Sequence, residues 1–211
     1  MNILNLLIAL VVILISMTLH ELAHGFIAYK LGDNTAKDEG RLTLNPIKHL
    51  DPVTSIALPL ILTLSGGPIF GGAKPVPINT RNLKYGAWGM ALVAIAGPLT
   101  NFILAFIGFL IGHFTGLLYT ANYAGYFFVE FVLINLGFGI FNLIPIPPLD
   151  GSRVLYALAP DGARRVMEAM EHYGIIIVFV LVFFCSSFFS NIIGTATYNI
   201  LDFFSWIVGA K

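Results

Sequence analysis

Ile3 to Leu19 is a predominantly apolar, uncharged run, and the polar stretch His20-Glu21-Leu22-Ala23-His24 follows it directly. The whole segment, about 3–28, is long enough to cross ~30 Å of hydrocarbon, which takes roughly 20 residues. Four more stretches have that length: about 87–113, 126–145, 173–190 and 191–209. The last two meet at Ser190-Asn191 and read as a helical hairpin. A shorter apolar stretch, 52–66, contains Pro59 and runs into Gly66-Gly67-Pro68. It is too short to span comfortably, which favours a re-entrant or broken element. Read as a span, it raises the count to six. The pattern therefore predicts an all-α polytopic membrane protein of five or six transmembrane helices, with a re-entrant or short β element after the first span.

Between the first span and residue 86 the chain reads as turns and short strands. Gly40-Arg41-Leu42-Thr43-Leu44-Asn45-Pro46 alternates and ends on a turn signal. Lys74-Pro75-Val76-Pro77-Ile78-Asn79 reads as extended, because a residue before proline avoids the helical region. Strands beside a membrane site offer an edge to an extended peptide, which makes Thr43 and Leu44 candidate substrate contacts; a plain surface loop is the alternative. Residues 161–172 read as a short amphipathic helix on a membrane face.

Composition agrees with the span pattern. The chain is 57% hydrophobic and 10% charged, against about 25% charged in ordinary soluble domains, and its mean hydropathy is +0.87. No Lys or Arg leads the first span and no small-residue cleavage site separates Leu19 from His20, so it reads as retained rather than as a signal peptide. The single cysteine, Cys185, excludes an intrachain disulfide. Net charge is zero and no basic run suggests nucleic acid. Cations cluster in 29–51, 67–86 and 146–172 and are missing from 114–125. With 52–66 re-entrant, all of them fall on one side, which the positive-inside rule makes cytoplasmic. The N-terminus is then outside and the C-terminus inside.

Ionisable residues in or beside a bilayer are functional candidates by default. On a helix, positions i and i+4 share a face, so His20 and His24 can reach one Zn²⁺. Glu21 lies close enough to act as general base on the metal's water. A catalytic zinc site takes three protein ligands and keeps one position for water. The best third candidate is Asp150, in Asn142-Leu143-Ile144-Pro145-Ile146-Pro147-Pro148-Leu149-Asp150-Gly151, where Gly151 permits close backbone approach. The competing role for Asp150 is an N-cap of the helix beginning at Ser152. With 52–66 re-entrant, Asp150 and His24 lie at the same end of their spans and can meet.

These motifs resemble those of the site-2 protease family of intramembrane zinc metallopeptidases. His20 to His24 matches the family's first motif and Asn142 to Gly151 its second. Gly97-Pro98-Leu99-Thr100-Asn101 is similar to a motif on an intervening span, and Gly40 to Pro52 and Lys74 to Pro77 look like segments of the compact prokaryotic members. The resemblance implies one Zn²⁺ per chain on His20, His24 and Asp150, with Glu21 as base and later proton donor. It gives Asn142 a role in positioning the scissile peptide or oxyanion. Asn101 is either a substrate contact or an interhelical hydrogen bond beside the Gly-Pro contact. The substrate implied is a membrane protein cut within or next to a transmembrane helix, in a prokaryotic cell membrane. Residues 1–155 would form the catalytic core and 156–211 an accessory amphipathic helix and hairpin, with no room for a PDZ or CBS domain. His49, His113 and His172 match no ligand role. Two other readings stay open at this level: a membrane zinc transporter or metal-binding protein, and an inactive relative that binds helices without cutting them. Oligomeric state is not legible.

Overall fold

A computed structural model describes residues 2–51, 55, 57, 72–184 and 186–210. Helix α1 is Ile3–Lys30, α2 Thr35–Asp38, α3 Ala87–Phe114, α4 Tyr123–Asn142, α5 Asp150–Leu158, α6 Asp161–Glu171, α7 Gly174–Phe184 and α8 Ser186–Ile207. Among the described residues, α1, α3 and α4 are long and apolar enough to cross a membrane. At 1.5 Å per residue, the 28 residues of α1 extend about 42 Å.

The three helices are built inside out relative to a water-soluble bundle. On α1 the large residues Leu4, Leu7, Val11 and Ile15 are exposed. The opposite face buries Val12, Ser16, His20, His24 and Ala28, each four residues from the last. On α3, Leu92, Ile95, Leu99, Ile103 and Ile107 point outward, while Ala94, Gly97, Asn101, Ala105 and Gly108 turn inward. Lipid solvates the large side chains, so close packing of small residues and buried hydrogen bonds must hold the helices together. At Gly108 an added Cβ would lie 2.6 Å from the Phe131 ring of α4.

The ends are fixed by local chemistry. The Asn2 side chain caps α1 by accepting from the Asn5 N–H at 2.8 Å. Asn122 caps α4 in the same way through the Gly125 N–H, also at 2.8 Å. Beyond α4 the chain turns sharply and enters α5 at Asp150. A Cβ at Gly151 would strike the Leu143 carbonyl, so the close backbone approach expected of Gly151 is present.

Two expectations change. First, no β-strand forms among the described residues of 40–46 and 72–79. Pro75 and Pro77 have no N–H to give to a ladder, and side chains join these segments instead. The Arg41 guanidinium donates to the Lys74 carbonyl at 2.8 Å and the Pro75 carbonyl at 3.3 Å. The Lys74 N–H donates to the His49 carbonyl at 2.9 Å. Asp33, fully buried, accepts from Thr35 Oγ1 (2.6 Å), the Asn79 N–H (2.7 Å) and Asn82 Nδ2 (3.2 Å). Burial alone would raise the Asp33 carboxyl's pKa; these hydrogen bonds outweigh it and hold the pKa below the usual carboxylate value.

Second, the turn expected at Ser190-Asn191 is not formed: α8 runs through both, and each is exposed. Among the described residues, neither α7 nor α8 is counted with the helices long and apolar enough to cross a membrane, so the fourth and fifth spans that the sequence predicts are not confirmed. Instead, Phe204 of α8 packs with Ala105 and Phe109 of α3 and Val132 and Leu136 of α4 in one buried cluster. The amphipathic segment is a helix as expected, Asp161–Glu171, tied back to α5 by an Arg153–Glu171 ion pair and by the Tyr156 hydroxyl donating to Glu168 at 2.6 Å. The re-entrant element expected at 52–66 lies outside the described residues apart from Ser55 and Ala57.

Candidate metal centre

His20 and His24 are successive members of the buried face of α1. Asp150 comes to them from the N-terminus of α5. It is the first residue of that helix, Leu149 holds the N-cap position, and no side chain caps the helix. Its carboxylate is turned toward the imidazoles instead of capping the helix. Asp150 Oδ2 lies 3.2 Å from His20 Nε2 and 3.4 Å from His24 Nε2. The two Nε2 atoms are 2.9 Å apart. The candidate ligand atoms of all three residues lie within 4.8 Å of one another.

The other ring nitrogens are both engaged. His24 Nδ1 lies 2.8 Å from the Val93 carbonyl of α3. A carbonyl only accepts, so this nitrogen carries the proton. His20 Nδ1 lies 2.6 Å from Asn101 Oδ1. With Nδ1–H donating on both rings, each imidazole in its neutral form presents a bare Nε2 lone pair to the same point. Two lone pairs at 2.9 Å do not bond to each other, and Asp150 Oδ2 is buried without a hydrogen-bond partner. Two imidazole nitrogens and a carboxylate oxygen are a donor set of catalytic zinc sites. The residues therefore fit a zinc ion.

Gly97 makes room for this arrangement. A Cβ there would collide with both imidazole rings. Pro98, the next residue, removes the N–H that would meet the Ala94 carbonyl, one residue beyond the Val93 carbonyl that serves His24. Glu21 is half-buried, and its Oε2 accepts the Val76 N–H at 2.8 Å. The 72–79 segment thus holds the carboxylate beside the trio without making it a ligand.

The remaining sequence candidates divide. Asn101 is fully buried, with Oδ1 on His20 and Nδ2 donating to Asn135 Oδ1 at 2.9 Å. Of its two readings, the interhelical hydrogen bond is the one formed, and no face of it is open to a substrate. Asn142 ends α4, with Nδ2 donating to the Phe138 carbonyl at 3.0 Å and no hydrogen bond to the trio. The Thr43 carbonyl is taken by His49 Nε2 at 2.9 Å, and Leu44 is exposed in a bend, so neither lies on a strand edge. His49, His113 and His172 make local contacts, to the Thr43 carbonyl, the Tyr119 hydroxyl and the Glu168 carbonyl. Asn135 and Ser16 were not among the sequence candidates. An asparagine in the middle of an apolar span was the available sign.

Fold and site together point to a metal-dependent hydrolase set among membrane-crossing helices: three converging candidate ligands with a further carboxylate, Glu21, on the same helix. Comparison with known proteins narrows the class. Residues 116–186 match the model of Peptidase family M50. Over 177 residues the chain is 48% identical to the "Putative zinc metalloprotease YwhC" of Bacillus subtilis, covering 81% of this chain and 78% of that one. It is 33% identical over 172 residues to the "Putative zinc metalloprotease Rip2" of Mycolicibacterium smegmatis, of which it spans 64%. No solved structure matches the chain. The chain belongs to peptidase family M50, the zinc metallopeptidases, and is an integral membrane protein. That membership sets the transporter reading aside.

Proposed function

We propose that the protein is an intramembrane endopeptidase that hydrolyses a peptide bond within or next to a transmembrane helix of a membrane-protein substrate. The observation that carries this reading is the meeting of His20, His24 and Asp150 between membrane-crossing helices. Zinc, when bound there, polarises the scissile carbonyl and lowers the pKa of water to about 7. Glu21 accepts one proton of the attacking water as the C–O bond forms, then delivers it to the amide nitrogen as the C–N bond breaks. The Val76 N–H holds one oxygen of Glu21 and leaves the other for that proton. Asn142 positions the scissile peptide or its developing oxyanion, as the family resemblance implies. The substrate helix must unwind locally, because its peptide carbonyls are otherwise hydrogen-bonded within the helix.

Residues 1–155 form the catalytic core in this reading. With 52–66 re-entrant, the cation distribution supports a site that opens to the cytoplasm, with the N-terminus outside and the C-terminus inside. The test is cleavage of a panel of single-span substrates by detergent-solubilised wild type and Glu21→Gln. Wild type should cleave, and Glu21→Gln should keep its zinc while its rate falls by about 10²–10⁴-fold. Equal hydrolysis by the variant would remove Glu21 from the mechanism.

A further inference from the structure

Ser16, His20, Asn101 and Asn135 join three helices through three polar contacts, a ring closed by the α1 backbone between Ser16 and His20. Asn135 Nδ2 of α4 donates to Ser16 Oγ of α1 at 2.9 Å and to the Phe131 carbonyl of its own helix at 2.8 Å. Asn135 Oδ1 accepts from Asn101 Nδ2 of α3 at 2.9 Å. Asn101 Oδ1 faces His20 Nδ1 at 2.6 Å, and His20 lies one turn beyond Ser16 on α1. Ser16, Asn101 and Asn135 are each fully buried.

The ring has a fixed direction. The Phe131 carbonyl is an acceptor only, so the NH₂ group of Asn135 must face it. Both amide hydrogens of Asn135 are then spent, on Phe131 and Ser16, and its oxygen must face Asn101. The NH₂ of Asn101 is thereby turned toward Asn135 and its oxygen toward His20. Only a protonated Nδ1 can meet that oxygen, so the proton is absent from Nε2 of the neutral ring. We infer that Asn135, acting through Asn101, is a positioning residue that holds His20 in the Nδ1–H tautomer with its Nε2 lone pair aimed at Asp150. The backbone of α4 thus sets the donor state of a side chain on α1 that it does not touch. His24 needs no such relay, because its Nδ1 meets a backbone carbonyl directly.

The inference rests on His20 being a zinc ligand, and its test separates the two ideas. Asn135→Thr and Asn135→Val are nearly isosteric. A threonine hydroxyl at 135 donates to the carbonyl four residues back, at Phe131, and still accepts from Asn101. A valine does neither and frees the Asn101 amide to flip. Zinc affinity of the full chain in detergent, measured by chelator competition, should fall about 10–100-fold in Asn135→Val. It should stay within about fivefold of wild type in Asn135→Thr. Equal losses in both, or none in either, would overturn the relay. A readout that needs no variant to fold is ¹⁵N-histidine NMR of metal-stripped wild type at a pH where the ring is neutral. His20 should carry its proton on Nδ1; a proton on Nε2 would overturn the inference. A wild type that binds no zinc yet shows Nδ1–H at His20 would uphold the relay and sink the ligand reading instead.

Discussion

Two levels of the same helix bundle are built in opposite ways. At one, α1, α3 and α4 meet through Ser16, His20, Asn101 and Asn135, all polar and hydrogen-bonded. One turn along α3, the bundle closes instead on Ala105, Phe109, Val132, Leu136 and Phe204. Asn135 and Leu136 are sequence neighbours and serve different levels. In lipid, apolar packing has no hydrophobic drive behind it, so the apolar level depends on shape alone. The polar level depends on direction as well, because each donor has one acceptor to meet. Shape holds the helices together; direction sets where the ligand nitrogens point.

The widest gap between the levels should appear on removing a ligand. Asp150→Ala should lower zinc affinity by more than about a hundredfold, beyond what loss of a partner behind a ligand costs. Its thermal midpoint in metal-free buffer should stay close to wild type or rise, since the change removes a buried acceptor with no hydrogen-bond partner. Leu136→Ala should do the reverse, destabilising the fold by about 2–3 kcal/mol by denaturant titration while each folded molecule keeps its zinc affinity. If Leu136→Ala weakened zinc as much as stability, the two levels would not be separable. Gly97→Ala lies between them. Its Cβ would meet both imidazoles, so zinc affinity should fall about tenfold, with a smaller change in stability.

The smallest effect belongs outside the bundle, at Asp33. Its carboxyl pKa is depressed in the folded protein, so its contribution is fully present above the ordinary carboxylate value of about 4 and is lost as pH falls through the lower folded value. Asp33→Asn should cost about 1–2 kcal/mol near pH 7 and progressively less in acid. A cost independent of pH would show that the carboxylate charge is not what ties 33–35 to 79–82.

Much of the polar level was legible in the sequence. The i, i+4 spacing puts His20 and His24 on one face, and the proline-rich exit from α4 points to Asp150 whichever of its two roles is formed. The three long spans were legible because their apolar runs carry few charges. The strands expected at 40–46 and 74–79 were misread, because alternation in Arg41 to Leu44 says nothing about partners, and the facing segment has prolines where donors are needed. The turn at Ser190-Asn191 was misread because exposed polar residues are compatible with a helix as well as a loop. Asn135 and Ser16 were passed over because neither is ionisable, though each is costly to bury in an apolar span unless something answers it.

The central claim is that zinc sits on His20, His24 and Asp150. The most direct test is zinc stoichiometry with zinc K-edge absorption on purified wild type and Asp150→Asn. The account expects about one zinc per wild-type chain, with two imidazole nitrogens at about 2.0–2.1 Å and oxygen neighbours at about 2.0–2.2 Å. Zinc should be lost or its oxygen shell changed in Asp150→Asn. A sulfur neighbour at about 2.3 Å, or an Asp150→Asn spectrum identical to wild type, would contradict it.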